Sequence, residues 1–328
     1  MAHSYPSVTA VMPARNDAKG LVRAVESVLN QAYPGDLRLI IAVAPSDDES
    51  EAVAKELAHD ERIDVTPNPG GGTAAGLNAA LELVDSPVVA RVDAHCVLPP
   101  GYIHKAIATL GRTGAANVGG VQRATGSGRF QEAVAKAMTS RFGVGNAKFH
   151  YGGDQGPTDT VYLGVFDSDA LKRVGGFDET LTRNQDYELN WRLREAGYTI
   201  WFDPELEVAY SPRGTVGTLA KQYFEYGQWK REVLKRHPRS LKARQLAAPV
   251  TVLAIAAGAA GAARGHRLGL LAPLTYAAAV LAASTIEADE PSEAATLATV
   301  FPTMHLCWGA GFLVGPKPRN VHNERQHL

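Results

Sequence analysis

The sequence predicts an α/β fold with a mostly parallel central sheet, followed by a helical, membrane-embedded region. Three observations predict it. Short β-rich apolar runs alternate with stretches of helical periodicity up to about residue 210, the signature of right-handed βαβ crossovers. The run 88–92 (Val-Val-Ala-Arg-Val) is largely apolar and β-rich, as a buried parallel strand requires. Beyond Gln245 the charges almost vanish, and three apolar runs follow at 246–263, 268–286 and 295–314, each near the roughly 20 residues that cross hydrocarbon. The expected domains are therefore 1–244, soluble α/β, and 245–328, membrane-embedded and helical.

The first strand is 7–13, ended by Pro13. Asn16-Asp17 can cap a helix on which Leu21, Val22, Val25, Val28 and Leu29 recur at helical spacing. A strand at 37–43, a helix at 50–58 and a short strand at 63–65 follow. Asn68-Pro69-Gly70-Gly71-Gly72 is a loop leading into a helix at 73–83. After the central strand come a helix at 102–110 and a strand at 116–122. Residues 126–159 are Gly-rich and read as a mobile loop region with one helix at 130–138. A strand at 160–166, a helix at 169–174 and the turn Gly175-Gly176-Phe177-Asp178 precede a helix whose buried face is Leu189, Leu193 and Ala196, with Gly197 as its C-cap. Two short strands, 199–202 and 207–210, lead to a helix at 219–234 that sets Tyr223, Tyr226 and Trp229 among basic residues.

Composition narrows the function. The 328 residues carry 33 Lys+Arg against 34 Asp+Glu, a net charge of -1, which gives no overall electrostatic case for nucleic acid. Only two cysteines occur, Cys96 and Cys307, far apart, so a disulfide framework is not expected and a reducing compartment fits. Residues 1–11 show no basic segment followed by an apolar core, so no cleavable signal is expected.

The chemistry is expected where the central strand ends. Asp93 and His95 are two residues apart, so in extended chain they point to the same side, and an oxygen and a nitrogen can reach one ion. Open α/β sheets place their chemistry at such carboxyl ends. The other reading makes Asp93 a helix cap and His95 a surface loop residue. Asp186 stands at the amino end of its helix, where the dipole favours an ionised carboxylate.

An ordered set of motifs carries a resemblance. Pro13-Ala14-Arg15-Asn16 follows the first strand, and Ser46-Asp47-Asp48-Glu49-Ser50 the second. Gly76-Leu77-Asn78-Ala79-Ala80, Arg91-Val92-Asp93-Ala94-His95, Asp159-Thr160-Val161-Tyr162-Leu163-Gly164, Gly175-Gly176-Phe177-Asp178, Gln185-Asp186-Tyr187-Glu188-Leu189 and the segment 222–230 come after them. In this order and spacing the chain, over residues 8 to about 236, resembles the family 2 glycosyltransferases with the GT-A nucleotide-sugar fold, and among them the ExoA-like succinoglycan-biosynthesis group.

The resemblance implies an inverting transfer from a nucleotide-sugar donor, with a divalent cation, Mn²⁺ or Mg²⁺, balancing the departing diphosphate. Asp93 matches the first position of the family's Asp-x-Asp, and His95 replaces the second, which favours manganese. Either both ligate the ion or Asp93 alone does. Asp186 matches the general base, with Gln185 where the family is often acidic; Glu188 either assists or is a solvated surface residue. Pro13, Ala14, Arg15, Asn78, Arg91 and Asp93 would line the donor site, although Arg15 also reads as a surface charge. Ala44 or Pro45 stands where the family carries its base-binding acid. Asp48 then either contacts base or ribose or caps the helix beginning at Ser50. Gln222, Trp229 and Lys230 resemble a relaxed Gln-x-x-Arg-Trp element that meets acceptor or pyrophosphate; the same helix also reads as amphipathic and membrane-surface lying.

The basic stretch 230–244 precedes the first apolar run and predicts a multi-pass cell-membrane protein with its catalytic domain on the cytoplasmic face. Lys317-Pro318-Arg319 prefers that same side, yet three spans would place it opposite, so one run is expected to be re-entrant or interfacial, with 295–314 the weakest because of Pro302 and His305. The expected activity is sugar transfer to a hydroxyl of a lipid-linked or membrane-proximal glycan. The rivals are a polyprenyl-phosphate glycosyltransferase and a degenerate nucleotide- or glycan-binding scaffold of an export complex.

Overall fold

A computed structural model describes residues 5–145 and 148–316. Its elements run β1 (Val8–Ala14), α1 (Ala18–Leu29), β2 (Leu37–Val43), α2 (Ser50–Leu57), β3 (Ile63–Pro67), α3 (Thr73–Leu81), β4 (Val88–Arg91), α4 (Tyr102–Thr113) and β5 (Asn117–Ala124). Then come α5 (Arg129–Thr139), α6 (Arg141–Val144), α7 (Lys148–Tyr151), β6 (Gly156–Pro157), β7 (Tyr162–Asp167), α8 (Ser168–Arg173), α9 (Gln185–Glu195) and β8 (Ile200–Tyr210). The helices α10 (Val216–Arg236), α11 (Ala247–Ala263), α12 (Leu271–Glu287) and α13 (Pro291–Val314) follow.

The eight strands form one sheet in the order β3-β2-β1-β4-β7-β5-β8-β6. Strands β1 to β4 are mutually parallel, and β5 is parallel to β8; β7 and β6 run against their neighbours. β1 is buried on both faces, and its side chains alternate between two cores. Val8, Ala10, Met12 and Ala14 face a core with Leu21, Val25 and Val28 of α1 and Ile103 of α4. Val11 faces the opposite core, with Leu77 of α3, Leu171 of α8, and Leu189 and Leu193 of α9.

Three expectations are corrected. The segments expected as two strands at 199–202 and 207–210 are one strand, β8, whose register slips opposite Gly119 and Gly120 and so absorbs Pro204. The Gly-rich stretch 126–159 carries α5, α6, α7 and β6 rather than one helix. The chain packs as two units, Met1–Ser127 with Met138–Pro212 and Gly128–Ala137 with Arg213–Leu328, so the boundary falls near residue 212 and not at 244. The reason is that α10 packs along α13: no Cβ fits on Gly227 against the Trp308 carbonyl, nor on Gly311 against the Phe224 carbonyl. Among the described residues, three helical stretches (Ala243–Ala263, Arg267–Glu287 and Pro291–Val314) are long and apolar enough to cross a membrane.

Candidate active site

The sheet order changes direction between β1 and β4, and the carboxyl ends of these two strands frame the switch point. Asp17 follows β1, and Asp93 follows β4. The two ends are close: a Cβ on Gly20, in the first turn of α1, would stand 3.1 Å from the Ala94 carbonyl oxygen.

Arg91, the last residue of β4, organises this opening. Its side chain is 7% exposed. Nε and Nη2 both donate to Asp93 Oδ1, at 3.1 and 3.0 Å, and Nη1 donates to Asp186 Oδ1. A buried guanidinium without carboxylate partners would carry a large desolvation penalty, so β4 can hold Arg91 inward only because these two anions meet it. The Phe177 ring lies beneath the same guanidinium, 5.9 Å from its carbon to the ring centroid. Asp186 remains 43% exposed, so one face of the base candidate is open to an incoming molecule.

His95 lies beside Asp93 on the same mouth, with Nδ1 3.9 Å from Asp17 Oδ1. Burial raises the Asp17 carboxyl above its usual range, against the opposing pull of His95. Donor atoms of Asp93, His95 and Cys96 all lie within 4.8 Å of one another. The Cys96 thiol is buried, pushed up to about 12 first by burial and then by the charge of Asp93, and shares a 3.2 Å hydrogen bond with the Tyr162 hydroxyl. The exposed imidazole of His95 and the carboxylate of Asp93 offer a nitrogen and an oxygen donor, a set compatible with Mn²⁺ or Mg²⁺.

Helix α9 is fixed at several points. It begins after Asn184, whose φ of 63° is left-handed, a conformation asparagine tolerates well. Gln185 is buried, while Asp186 projects to Arg91. Asn190 bonds Asn117 of β5 at 2.7 Å and Thr160 at 2.9 Å. Glu188, weighed above as a solvated residue, is instead buried at 3% exposure and paired with Arg192. Arg192 also donates to the carbonyls of Val174 and Gly176, at 2.5 and 2.7 Å. This i,i+4 pair is visible in the sequence, but its reach to the turn 175–178 is not.

The same turn is held from the other side by Asn78. Its Oδ1 accepts from the Phe177 amide, and its Nδ2 donates to the Phe177 carbonyl and to Glu179, each at 2.8 Å. Gly176, at φ +67°, passes so near that a Cβ would stand 2.7 Å from Asn78 Oδ1. These bonds engage the amide of Asn78, which positions the turn. Asp48 stands at two helix starts. It accepts from the backbone and hydroxyl of Ser50, at 3.0 and 2.5 Å, and from the Ala18 amide at 3.0 Å, so it caps α2 and α1 together. The Ser50 hydroxyl chiefly holds its carboxyl below the usual range.

Pro13 and Ala14 close β1, and Arg15 is exposed, with Nη1 3.4 Å from the Gly71 carbonyl of the loop 68–72. Gln222, Trp229 and Lys230 lie on α10, in the second unit; Gln222 donates to the Tyr226 hydroxyl at 2.9 Å. Sequence reasoning did not single out Phe177 or Arg192. The only signal for Phe177 was its place in a recurring motif.

A family profile described as Glycosyl transferase family 2 matches residues 9–175. The succinoglycan biosynthesis protein ExoA of Rhizobium meliloti is 32% identical over 307 residues, which cover 92% of this chain and 92% of that protein. A dolichyl N-acetyl-alpha-D-glucosaminyl phosphate 3-beta-D-2,3-diacetamido-2,3-dideoxy-beta-D-glucuronosyltransferase of Methanococcus voltae is 24% identical over 239 residues, 70% of this chain and 74% of its own. Among solved structures, the mannosyltransferase PcManGT from Pyrobaculum calidifontis, in complex with GDP-Man and Mn²⁺, has a similar fold, with a TM-score of 0.61 at 21% identity, over 95% of this chain and 87% of its own. With the profile over half its length and the ExoA likeness over nearly all of it, this chain belongs to the family 2 glycosyltransferases, in the ExoA-like group.

Proposed function

We propose that the chain is a membrane-anchored, cation-dependent inverting glycosyltransferase that moves a sugar from a nucleotide donor to a hydroxyl of a lipid-linked or membrane-proximal glycan. The observation that carries this reading is the gathering of Asp93 and Asp186 on one buried guanidinium. It supports a site in which a donor diphosphate near Asp93 and an acceptor hydroxyl near Asp186 share one opening.

In the proposed step the acceptor oxygen attacks the anomeric carbon in line. The bond from that carbon to the diphosphate oxygen breaks, its electron pair leaves with the nucleoside diphosphate, and Asp186 takes the hydroxyl proton. Asp93 and His95 would hold a divalent cation, which supplies positive charge for the departing diphosphate. Arg91 keeps Asp186 aimed at the acceptor and adds a fixed charge beside the phosphates. Pro13, Ala14 and Arg15 flank the donor from the end of β1, and Gln185 lies next to the base. On α10 of the second unit, Trp229 offers a stacking surface for a sugar, while Gln222 and Lys230 are buried at 7% and 4% exposure. The basic stretch before α11 supports a cytoplasmic catalytic unit, and anchoring raises the local concentration of a membrane-held acceptor.

The test is an assay of the full-length, detergent-solubilised chain against a panel of sugar nucleotides and lipid-linked glycans, with Mn²⁺ and after chelation. Cation-dependent transfer lost in Asp186→Asn supports the reading. Transfer indifferent to chelation removes the metal role. Transfer indifferent to Asp186→Asn removes the base and points to a phosphate oxygen as acceptor, which needs little proton abstraction. Donor binding without turnover leaves the scaffold reading standing.

A further inference from the structure

We propose that only α11 and α12 cross the bilayer, and that α13 lies with α10 in the headgroup layer. The inference rests on the membrane anchoring proposed above and concerns the second unit alone.

All three helices are long and apolar enough to span. They differ in what already covers them. In α13, Leu297, Val300, Phe301 and Met304 are at most 1% exposed, so protein takes up the apolar face that lipid would otherwise receive. In α11 and α12 the large side chains are bare: Leu253 is 55% exposed, Leu274 62% and Ile286 80%. Neither α11 nor α12 carries a charged residue before Glu287 at the end of α12. Each needs an apolar solvent, and α13 does not.

The partner of α13 sets its depth. Helix α10 packs along it at glycine spacing, with Gly227 against Trp308 and Gly311 against Phe224. Yet α10 carries Lys221, Glu225, Lys230, Arg231, Glu232, Lys235 and Arg236. Drawing α13 through the hydrocarbon would draw these charges in with it, and each buried there is costly. Both ends of α13 are tied to polar side chains. In its first turn Glu293 pairs with Lys136 of α5 at 2.7 Å, and Lys136 also meets Asp289 at 2.8 Å. Past its last turn, Gln228 donates to the Gly315 carbonyl at 2.8 Å, and Arg231 donates to that of Leu313.

The α11–α12 pair is a hairpin with small residues at its crossing, Gly258 against Gly269, and a polar tip, Arg264-Gly265-His266-Arg267. Two crossings bring the chain back to the side from which it left. The basic stretch before α11 and the carboxyl end of α13 then share one face. The basic segment Lys317-Pro318-Arg319, whose preference conflicted with three spans, lies outside the described residues, but its charge agrees with an even count.

The test uses the full chain in bacterial cells, with Cys96 and Cys307 replaced by alanine and a single cysteine introduced as His266→Cys or Pro316→Cys. The probe is a membrane-impermeant maleimide. His266→Cys is expected to label on intact spheroplasts, and Pro316→Cys only after permeabilisation. Labelling of Pro316→Cys from outside would mean three crossings and overturn the proposal. Failure of His266→Cys to label from outside would make the hairpin re-entrant and overturn it equally. A second readout leaves the native sequence untouched: a carboxyl-terminal green fluorescent protein should fluoresce and an alkaline phosphatase fusion should stay silent, and the reverse pattern rejects the proposal. Release of the chain by alkaline carbonate would overturn this topology and the anchoring beneath it, whereas a wrong crossing number would leave the glycosyltransferase reading intact.

Discussion

Arg91 joins Asp93 to Asp186, two carboxylates 93 positions apart in sequence and brought to one guanidinium in space. The strand that delivers Arg91 is buried, and its guanidinium meets both anions. One positive charge between two negative ones leaves the opening with a net negative charge to offer a divalent ion.

Replacing Asp186 by asparagine keeps the shape and a hydrogen bond to Arg91 but removes the proton acceptor. The expected result is a fall in kcat of about a hundred- to ten-thousand-fold, with donor affinity by calorimetry nearly unchanged. A parallel loss of donor binding would assign Asp186 to the donor instead.

His95→Asp exchanges imidazole for a second carboxylate. Oxygen-only ligation suits magnesium better, so the ratio of Mg²⁺- to Mn²⁺-supported turnover should rise. An unchanged ratio in metal-replacement assays would place His95 outside the ion's coordination.

Arg192→Met takes the Arg192 ion pair from buried Glu188 and frees the turn 175–178 that supports Phe177 under Arg91. A loss of about 3–5 kcal/mol is expected on unfolding the detergent-solubilised chain. Adding Glu188→Leu should recover part of it, because the buried charge that Arg192 balanced goes too. A double variant as unstable as the single one would show that the carbonyl contacts of Arg192, not its ion pair, matter most.

Asp48 carries a pH signature. Its carboxyl is held below the ordinary aspartate range, so its contribution to stability is complete above that range and is lost as pH falls through the lower folded value. Asp48→Asn should lower the Tm at neutral pH and flatten its fall on acidification. An unchanged Tm with weakened nucleotide binding would restore the ligand role that the capping geometry argues against.

Gly227→Val would force α10 and α13 apart, since the Trp308 carbonyl and the Phe312 amide occupy the space of any Cβ. Overpacking of about 1–3 kcal/mol is expected, read as earlier aggregation on heating. A variant of normal stability would mean that the two helices separate freely.

Much of this was legible in the sequence. The strand character of β1 and the 3.6-residue spacing of Leu21, Val25 and Val28 depend on local pattern alone, and both appear as read. The placement of Asp93 followed from a strand end and a residue type. The antiparallel course of β7 was hidden because direction in a sheet is set by partners far away in sequence. The capping of two helices by Asp48, the burial of Glu188 and the occupation of the Asn78 amide were hidden for the same reason: each depends on a contact across at least one intervening element. The boundary near residue 212 escaped because α10 looks soluble by composition and only its glycines hint at a close helical neighbour.

Helix α9 is pinned to β5 through Asn190 and to the turn after α8 through Arg192. Asp186 therefore has little private freedom, and a change at Asn117 or Thr160 displaces it as surely as a change beside it. Random mutagenesis of this protein should thus yield inactive variants whose lesions map to the sheet interior, while altered acceptor choice should arise in surface segments that α9 does not anchor.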